Sequence, residues 1–253
     1  QIVGPNRVSL DSNDLETYGR DWTRVSAPAP SAVVFPGTTE EVAALVRACA
    51  ASKVPIVPSG GRTGLSAGAV ATNGEIVLSL DRLNFIGDPC PLARTLKAGA
   101  GAITAEVHAK AATVGLTWPV DFASAGSSQI GGNVATNAGG IKVIRYGLTR
   151  DWVAGMKVVT GAGAMLDCNA GLIKNATGYD FRHLMIGSEG TLGLIGELEM
   201  RLAPQPQPQV VMVVGVPQVT DLLNILNGFS DRITLSAFEF FSDLALQKVQ
   251  AHR

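Results

Sequence analysis

Apolar and charged positions alternate through GELEMRL, residues 196–202, where Leu198, Met200 and Leu202 fall on one face and Glu197, Glu199 and Arg201 on the other. Side chains repeat every two residues along a strand, so this is the pattern of a half-buried one. Short apolar runs at AVVF (32–35), IVP (56–58), EIVLSL (75–80), RTLKAGAG (94–101) and MKVVT (156–160) predict further strands. Between the first two, Val42, Leu45, Val46 and Cys49 recur at i, i+3, i+4 and i+7 behind Thr38 and Glu41, which predicts a helix opened by a capping box. Pro55 then resets the chain to extended backbone. A second helix is expected from Thr104, with Glu106 in its first turn and Gly115 as its stop. There is no long internal repeat.

PQPQPQ, residues 204–209, breaks this rhythm. Proline at every second position removes ladder donors and favours extended backbone. Beyond it VVMVVGV (210–216), LLNILNGF (222–229) and TLSAFEF (234–240) read as strand, helix and strand. A domain boundary is expected near residue 205, with 206–253 the opening of a different unit.

Composition narrows the class. Of 253 residues 46% are hydrophobic and 16% charged, and the net charge is −1. That fits a globular chain with a sizeable core and gives no electrostatic reason to bind nucleic acid or an anionic membrane. No apolar run approaches the roughly 20 residues of a membrane span, and no secretory signal is visible. Cys49, Cys90 and Cys168 are odd in number and widely spaced, which suits reduced thiols in a cytoplasmic protein. His108, His183 and His252 form no ligand cluster, so no metal site is expected from this chain. The first residue is Gln, and a trimmed N-terminus is expected.

The candidate chemistry lies in glycine loops. PSGGRTGLSAG (58–68) directly follows a predicted strand. Glycine permits positive φ and close approach, so successive N–H groups can converge on an anion such as a pyrophosphate. An ordinary surface turn fits this loop equally well. It lacks the G-K-[ST] ending of a P-loop. VVTGAGAMLD (158–167) imitates a dinucleotide fingerprint without its third glycine or a following helix, and is expected to be a tight turn between strands. GSSQIGGNVATNAGG (126–140) has five glycines, two asparagines and no charge, which is not linker composition. IGSEGTLGLIG (186–196) repeats the theme before a strand. Three such loops suggest a large ligand held mainly by backbone.

PSGGRTGLSAG, then PVDFASAGSSQIGGNVATNAGGIKVIRYG, then LIKNATGYDFRHLMIGSEGTLG resemble the FAD-binding half of the vanillyl-alcohol oxidase/p-cresol methylhydroxylase flavoproteins. Within that superfamily they are most similar to the D-2-hydroxyacid dehydrogenase branch, which holds the D-2-hydroxyglutarate and D-lactate dehydrogenases and the glycolate oxidase flavin subunit. The resemblance runs from Tyr18-Gly-Arg-Asp21-Trp22 to AFEFF near residue 240. It implies an α+β fold in which two α+β subdomains, about 1–94 and 95–205, hold FAD between them, followed by the start of a cap domain.

The resemblance also implies contacts. Pro58, Ser59, Gly60, Gly61, Arg62, Thr63 and Gly64 would wrap the pyrophosphate, with Leu65 and Ser66 nearer the flavin ring. Pro119, Gly126, Ser127, Ser128, Gly131, Asn133, Thr136, Asn137 and Gly139 would line the other side of the cofactor, with Tyr146 just beyond. Glu189, Gly190, Gly193 and Ile195 would pack near the adenosine and ribityl portions. Arg62 stands where several oxidases of the superfamily carry a tethering histidine, so non-covalent FAD is expected.

The implied reaction is oxidation of a D-2-hydroxy acid to the 2-oxo acid by hydride transfer to flavin N5, with an unidentified electron acceptor and a homodimer as a candidate assembly. A flavin-binding module without turnover, or another branch such as an alcohol or sugar oxidase, are the alternatives. The histidine-rich motif and divalent metal of the branch belong to a later half that this sequence lacks, and a fragment of a longer enzyme is expected. No catalytic base is nameable. His183 reads as structural, His108 as solvated or capping, and Tyr179 and Asp180 as turn-forming.

Overall fold

The computed structural model describes residues 2–169 and 171–252. Its first sheet has the order β1 (Val8–Ser9), β2 (Ala32–Val34), β4 (Ile76–Ser79), β3 (Ile56–Ser59). The last three are parallel, with Val33 and Val57 both facing Val77 across the ladder. Parallel strands need a crossover on one face and cover on the other, so both faces are apolar. Helix α1 (Ser12–Tyr18) supplies one cover, with Leu15, Tyr18 and Phe35 over Val33 and Val77. The crossover helix α2 (Thr39–Ala51) supplies the other, with Val42 and Val46 in the same core as Val34 and Leu78.

The second sheet is antiparallel, ordered β5 (Thr95–Gly99), β9 (Gly193–Arg201), β7 (Val153–Thr160), β8 (Met165–Cys168). Leu198 and Met200 are buried while Glu197, Glu199 and Arg201 are half-buried, as the alternation predicts. Helix α2 packs against this sheet too. Thr39 Oγ1 meets Glu197 at 3.3 Å, and Arg47 Nη1 donates to Gly163 O at 2.7 Å. The two sheets thus share one continuous core, and the loops that leave their strands face each other. No helix among the described residues is long and apolar enough to cross a membrane.

Local expectations hold with instructive exceptions. Thr38 Oγ1 accepts from Glu41 N at 3.1 Å, but Glu41 turns to Gly37 N at 2.7 Å instead of closing the box on Thr38. Both Glu41 oxygens are taken by Arg7, at 2.6 and 2.7 Å, and Arg7 holds the carboxyl below the usual glutamate range. Thr160 to Ala164 form the tight turn expected between β7 and β8, with Gly163 at φ +74. His108, on α3 (Thr104–Ala112), is half-buried and caps no helix. Its Nε2 lies 3.0 Å from Val120 O and its ring packs on Trp118, which ties α3 to the chain that follows β6 (Leu116–Thr117).

The tail departs most. β10 (Ala203–Pro204) pairs with β6, and the chain then runs irregularly to α7 (Asp221–Ser230). The strands expected at 210–216 and 234–240 do not form. Strands need neighbours for their backbone groups, and among the described residues no strand pairs with either segment. Val210 and Val211 are 87% and 89% exposed. A helix α8 (Asp243–Ala251), capped by Ser242, follows, with its apolar Leu244, Leu246 and Val249 exposed.

Candidate functional site

The facing loops enclose a cleft of about 410 Å³. One wall is the loop that leaves β3. From Gly60 to Ser66 no backbone N–H has a hydrogen-bond partner among the described residues. Gly60 to Thr63 are half-buried and Gly64 to Ser66 exposed, so these donors are left to solvent or to a ligand. Arg62 is held at φ +58 and Ala67 at φ +59, conformations that L-residues resist. The Arg62 guanidinium turns back into its own loop, donating to Gly60 O at 2.8 Å, lying 3.4 Å from Asp81 Oδ1 and 4.6 Å over the Tyr18 ring. Burial, then the neighbouring Asp81, pushes the Tyr18 hydroxyl up. Asp81 also accepts from Gln129 Nε2 at 2.7 Å, so its charge is already used inside the wall.

The second wall is α4 (Ile130–Ala135), which lies within the long uncharged stretch. It is fastened to the start of the second sheet by Ile130 N to Ala102 O and Gly131 N to Ala100 O, at 3.0 and 2.8 Å. Below it Asn133 Nδ2 donates to Thr104 Oγ1 at 2.7 Å, and that hydroxyl meets Ser128 Oγ at 2.9 Å. The two walls touch where glycine is required. A Cβ on Gly61 would stand 2.2 Å from Ser127 O, and one on Gly131 2.8 Å from Ala100 O. Gly132 faces open space and its N–H is free among the described residues.

The third wall is the turn before β9. Glu189 at φ +50 and Gly190 at φ +80 bend it over the cleft, and Glu189 N donates to Ala135 O at 2.9 Å. A side chain at Gly190 would strike Pro58 at 2.7 Å.

Of the residues singled out from sequence, Pro58, Gly60 to Ser66, Gly131, Asn133, Thr136, Gly139, Glu189, Gly190, Gly193 and Ile195 line the cleft. Ser59, Pro119, Gly126, Ser127, Ser128, Asn137 and Tyr146 do not. Ser128 is turned inward to Thr104, Asn137 Oδ1 accepts from Arg150 N at 3.1 Å, and Tyr146 packs on Trp152. Asp21, Phe122, Ser124, Gln129 and Gly132 line it without having been singled out there. Asp180 caps α6 (Phe181–Met185), Tyr179 is exposed, and His183 sits beside Asp180 at 3.7 Å; none lines the cleft. The described residues hold no cluster of metal-ligating side chains.

The donor set can be tested against FAD, whose flat ring and diphosphate need close backbone approach and neutral or positive donors. Free N–H groups on two walls, glycines at each wall contact and a largely apolar floor meet that need. One buried polar atom of the cleft lining, Gln129 Oε1, has no protein partner among the described residues. It would cost about 1–3 kcal/mol if left dry. The residues fit the group.

Comparison with known proteins agrees. Residues 30–169 match the family described as FAD binding domain. D-2-hydroxyglutarate dehydrogenase of Stutzerimonas stutzeri (strain A1501) is 57% identical over 248 residues, covering 98% of this chain and 53% of its own length. D-lactate dehydrogenase of Anaerostipes hadrus is 35% identical over 94% of this chain and 50% of its own. Among solved structures an alkyldihydroxyacetonephosphate synthase superposes with TM-score 0.73 at 25% identity, over 81% of this chain and 39% of its own. The chain spans about half the length of the curated relatives it matches. Motifs, α+β architecture and family match agree that this chain belongs to the FAD binding domain family, with the p-cresol methylhydroxylase-type fold.

Proposed function

We propose that this chain is the FAD-holding part of an oxidoreductase that converts a D-2-hydroxy acid to its 2-oxo acid. The observation that carries the cofactor site is the unpaired N–H row from Gly60 to Ser66 opposite Gly132. In this reading that row holds the diphosphate, while Gly131, Thr136 and Gly139 take the opposite side of the cofactor, and Glu189, Gly190, Gly193 and Ile195 lie near its adenosine and ribityl portions. FAD, when bound, supplies the two-electron acceptor. The protein's own part is to bind it, orient it and keep water from one side. Binding is proposed to be non-covalent, since no cysteine or histidine lines the cleft among the described residues.

The substrate class follows from the names of the relatives. D-2-hydroxyglutarate, D-lactate and glycolate, each assayed with a dye acceptor, test it in the protein with its remaining length. Reduction with one of them supports the reading, and a yellow protein inert to all three overturns the substrate class. The residues from about 206 onward are proposed to begin a separate substrate unit, with 1–94 and 95–205 as the two halves around FAD. A cytoplasmic location is proposed from three unpaired thiols.

A second reading has its own support: this chain alone binds flavin without turnover. Among the described residues no histidine lines the cleft, and of its two carboxylates Asp21 is already bonded to Thr23 and Ala67 while Glu189 is assigned above to the adenosine and ribityl end of the cofactor. Hydroxy acid oxidation by the isolated 253-residue chain would end that reading.

A further inference from the structure

The segment Tyr18 to Thr23 lies outside the three glycine motifs, yet the first loop and the turn that follows it are fastened to it by three backbone-donated hydrogen bonds. Trp22 N donates to Gly64 O at 3.2 Å and Ala71 N to Gly19 O at 2.9 Å. Between them, Asp21 Oδ2 accepts the Ala67 N–H at 2.8 Å. The other carboxylate oxygen takes the N–H and hydroxyl of Thr23, at 2.9 and 2.6 Å. Asp21 is 4% exposed, and all three of its donors are neutral. Burying an ionised carboxylate is unfavourable unless its oxygens are bonded, and here one of the bonds comes from the loop it holds.

That bond falls at a decisive place. The loop contains two L-residues in the left-handed region, Arg62 and Ala67, and each is tethered to a carboxylate. Arg62 reaches Asp81 through its side chain, and Ala67 reaches Asp21 through its backbone. Without the second tether Ala67 has reason to relax to negative φ. The peptides on its N-terminal side would turn with it, and those are the ones that carry the free donors.

We infer that Asp21 is a positioning residue for the cofactor, holding Ala67 left-handed so that the N–H groups from Gly60 to Ser66 stay aimed into the cleft. The inference rests on the cofactor reading above. Electrostatics alone predicts the opposite sign. A negative charge at the cleft lining repels a diphosphate, so its removal should tighten FAD. Positioning predicts that its removal weakens FAD.

The test is Asp21→Asn in the protein stripped of flavin, with FAD binding followed by quenching of flavin fluorescence. Asparagine keeps the shape but offers one acceptor oxygen where aspartate offers two. The expected result is a dissociation constant raised on the order of tenfold, the weight of one charge-assisted bond. Ala67→Gly placed in D21N should recover most of the loss, because glycine takes positive φ without strain; a role confined to overall stability would not be rescued there. Should D21N melt early without FAD, Asp21→Glu carries the same test, since it retains the charge and displaces the oxygens. FAD binding by D21N or D21E as tight as in the unsubstituted protein, or a loss that A67G leaves untouched, overturns the inference alone. An unsubstituted protein that takes up no FAD overturns the cofactor reading and this inference together.

Discussion

Two valine-rich stretches of this chain meet opposite fates. β7, Val153–Thr160, is hydrogen-bonded to β9 on one side and β8 on the other, and Val158 and Val159 are fully buried. Val210 to Val216 has equal strand-forming chemistry and no partner, and Val213 is 79% exposed. Residue type is therefore secondary. A strand forms where neighbours take up its N–H and C=O groups and a core takes its side chains. β7 has both, because α2 packs across it from the first sheet. The tail segment has neither within the described residues.

The sharpest way to break the contrast is to put the same charge in both stretches. Val158→Lys buries an unpaired ammonium and should remove more than about 4 kcal/mol, enough to unfold the chain. Val213→Lys should move stability by less than about 0.5 kcal/mol. Urea denaturation of the two variants side by side reads the difference, and similar losses would mean that the tail is packed after all.

Proteolysis compares the stretches without mutation. Thermolysin, which cuts beside apolar residues, should cleave between 205 and 217 well before any site in β7 or β9, because access requires locally open backbone. Mass spectrometry of the first fragments checks this, and early cuts inside 153–201 would contradict it.

A smaller effect is expected where two walls of the cleft meet. Gly61→Ala would set a methyl group 2.2 Å from the Ser127 carbonyl, and backbone must move to admit it. A loss of about 1–3 kcal/mol is expected, seen as a lower midpoint in thermal unfolding together with weaker FAD uptake. The same change at Gly215, which has open space around it, should do neither.

The smallest effect concerns pH. Glu41 is held below its ordinary value of 4.5 first by the Arg7 side chain and next by the Gly37 N–H. A depressed carboxylate contributes stability that is complete above its unfolded value and is lost as pH falls through the folded one. Arg7→Ala should therefore weaken the chain at neutral pH, by at most about 1 kcal/mol for a partly exposed pair. The gap should close as pH falls from the ordinary glutamate value of 4.5 through the depressed one. Melting curves across pH 3 to 7 measure it, and a gap that persists in acid would rule the pair out as its source.

Much of this was readable in the chain. Alternation in GELEMRL marked β9 because half-burial leaves a period of two, and the periodic valines and leucines behind Thr38 marked α2. The glycine loops were readable for a steric reason: Gly61, Gly131 and Gly190 stand where a Cβ would collide with another loop. A motif says which residues come to a site, and less about which way they face. Ser128 and Asn137 belong to the right stretch and spend their polar groups inside the protein. Asp21 and Gln129 carry no periodicity of their own, so only their partners reveal them.

The six strands from AVVF to GELEMRL, the helices opened at Thr38 and Thr104, the glycine-shaped loops and the kind of ligand they suit were legible in sequence alone, because each depends on local spacing and on the absence of a side chain. The tertiary structure decided three further things: that α2 joins two sheets into one core, that the loops meet around a single cleft, and that Asp21 and Asp81 hold the first loop in shape. These depend on contacts between residues from 19 to 158 positions apart, and no local pattern encodes such a distance. For the same reason VVMVVGV reads as a strand and is not one here: a strand is a property of a pair.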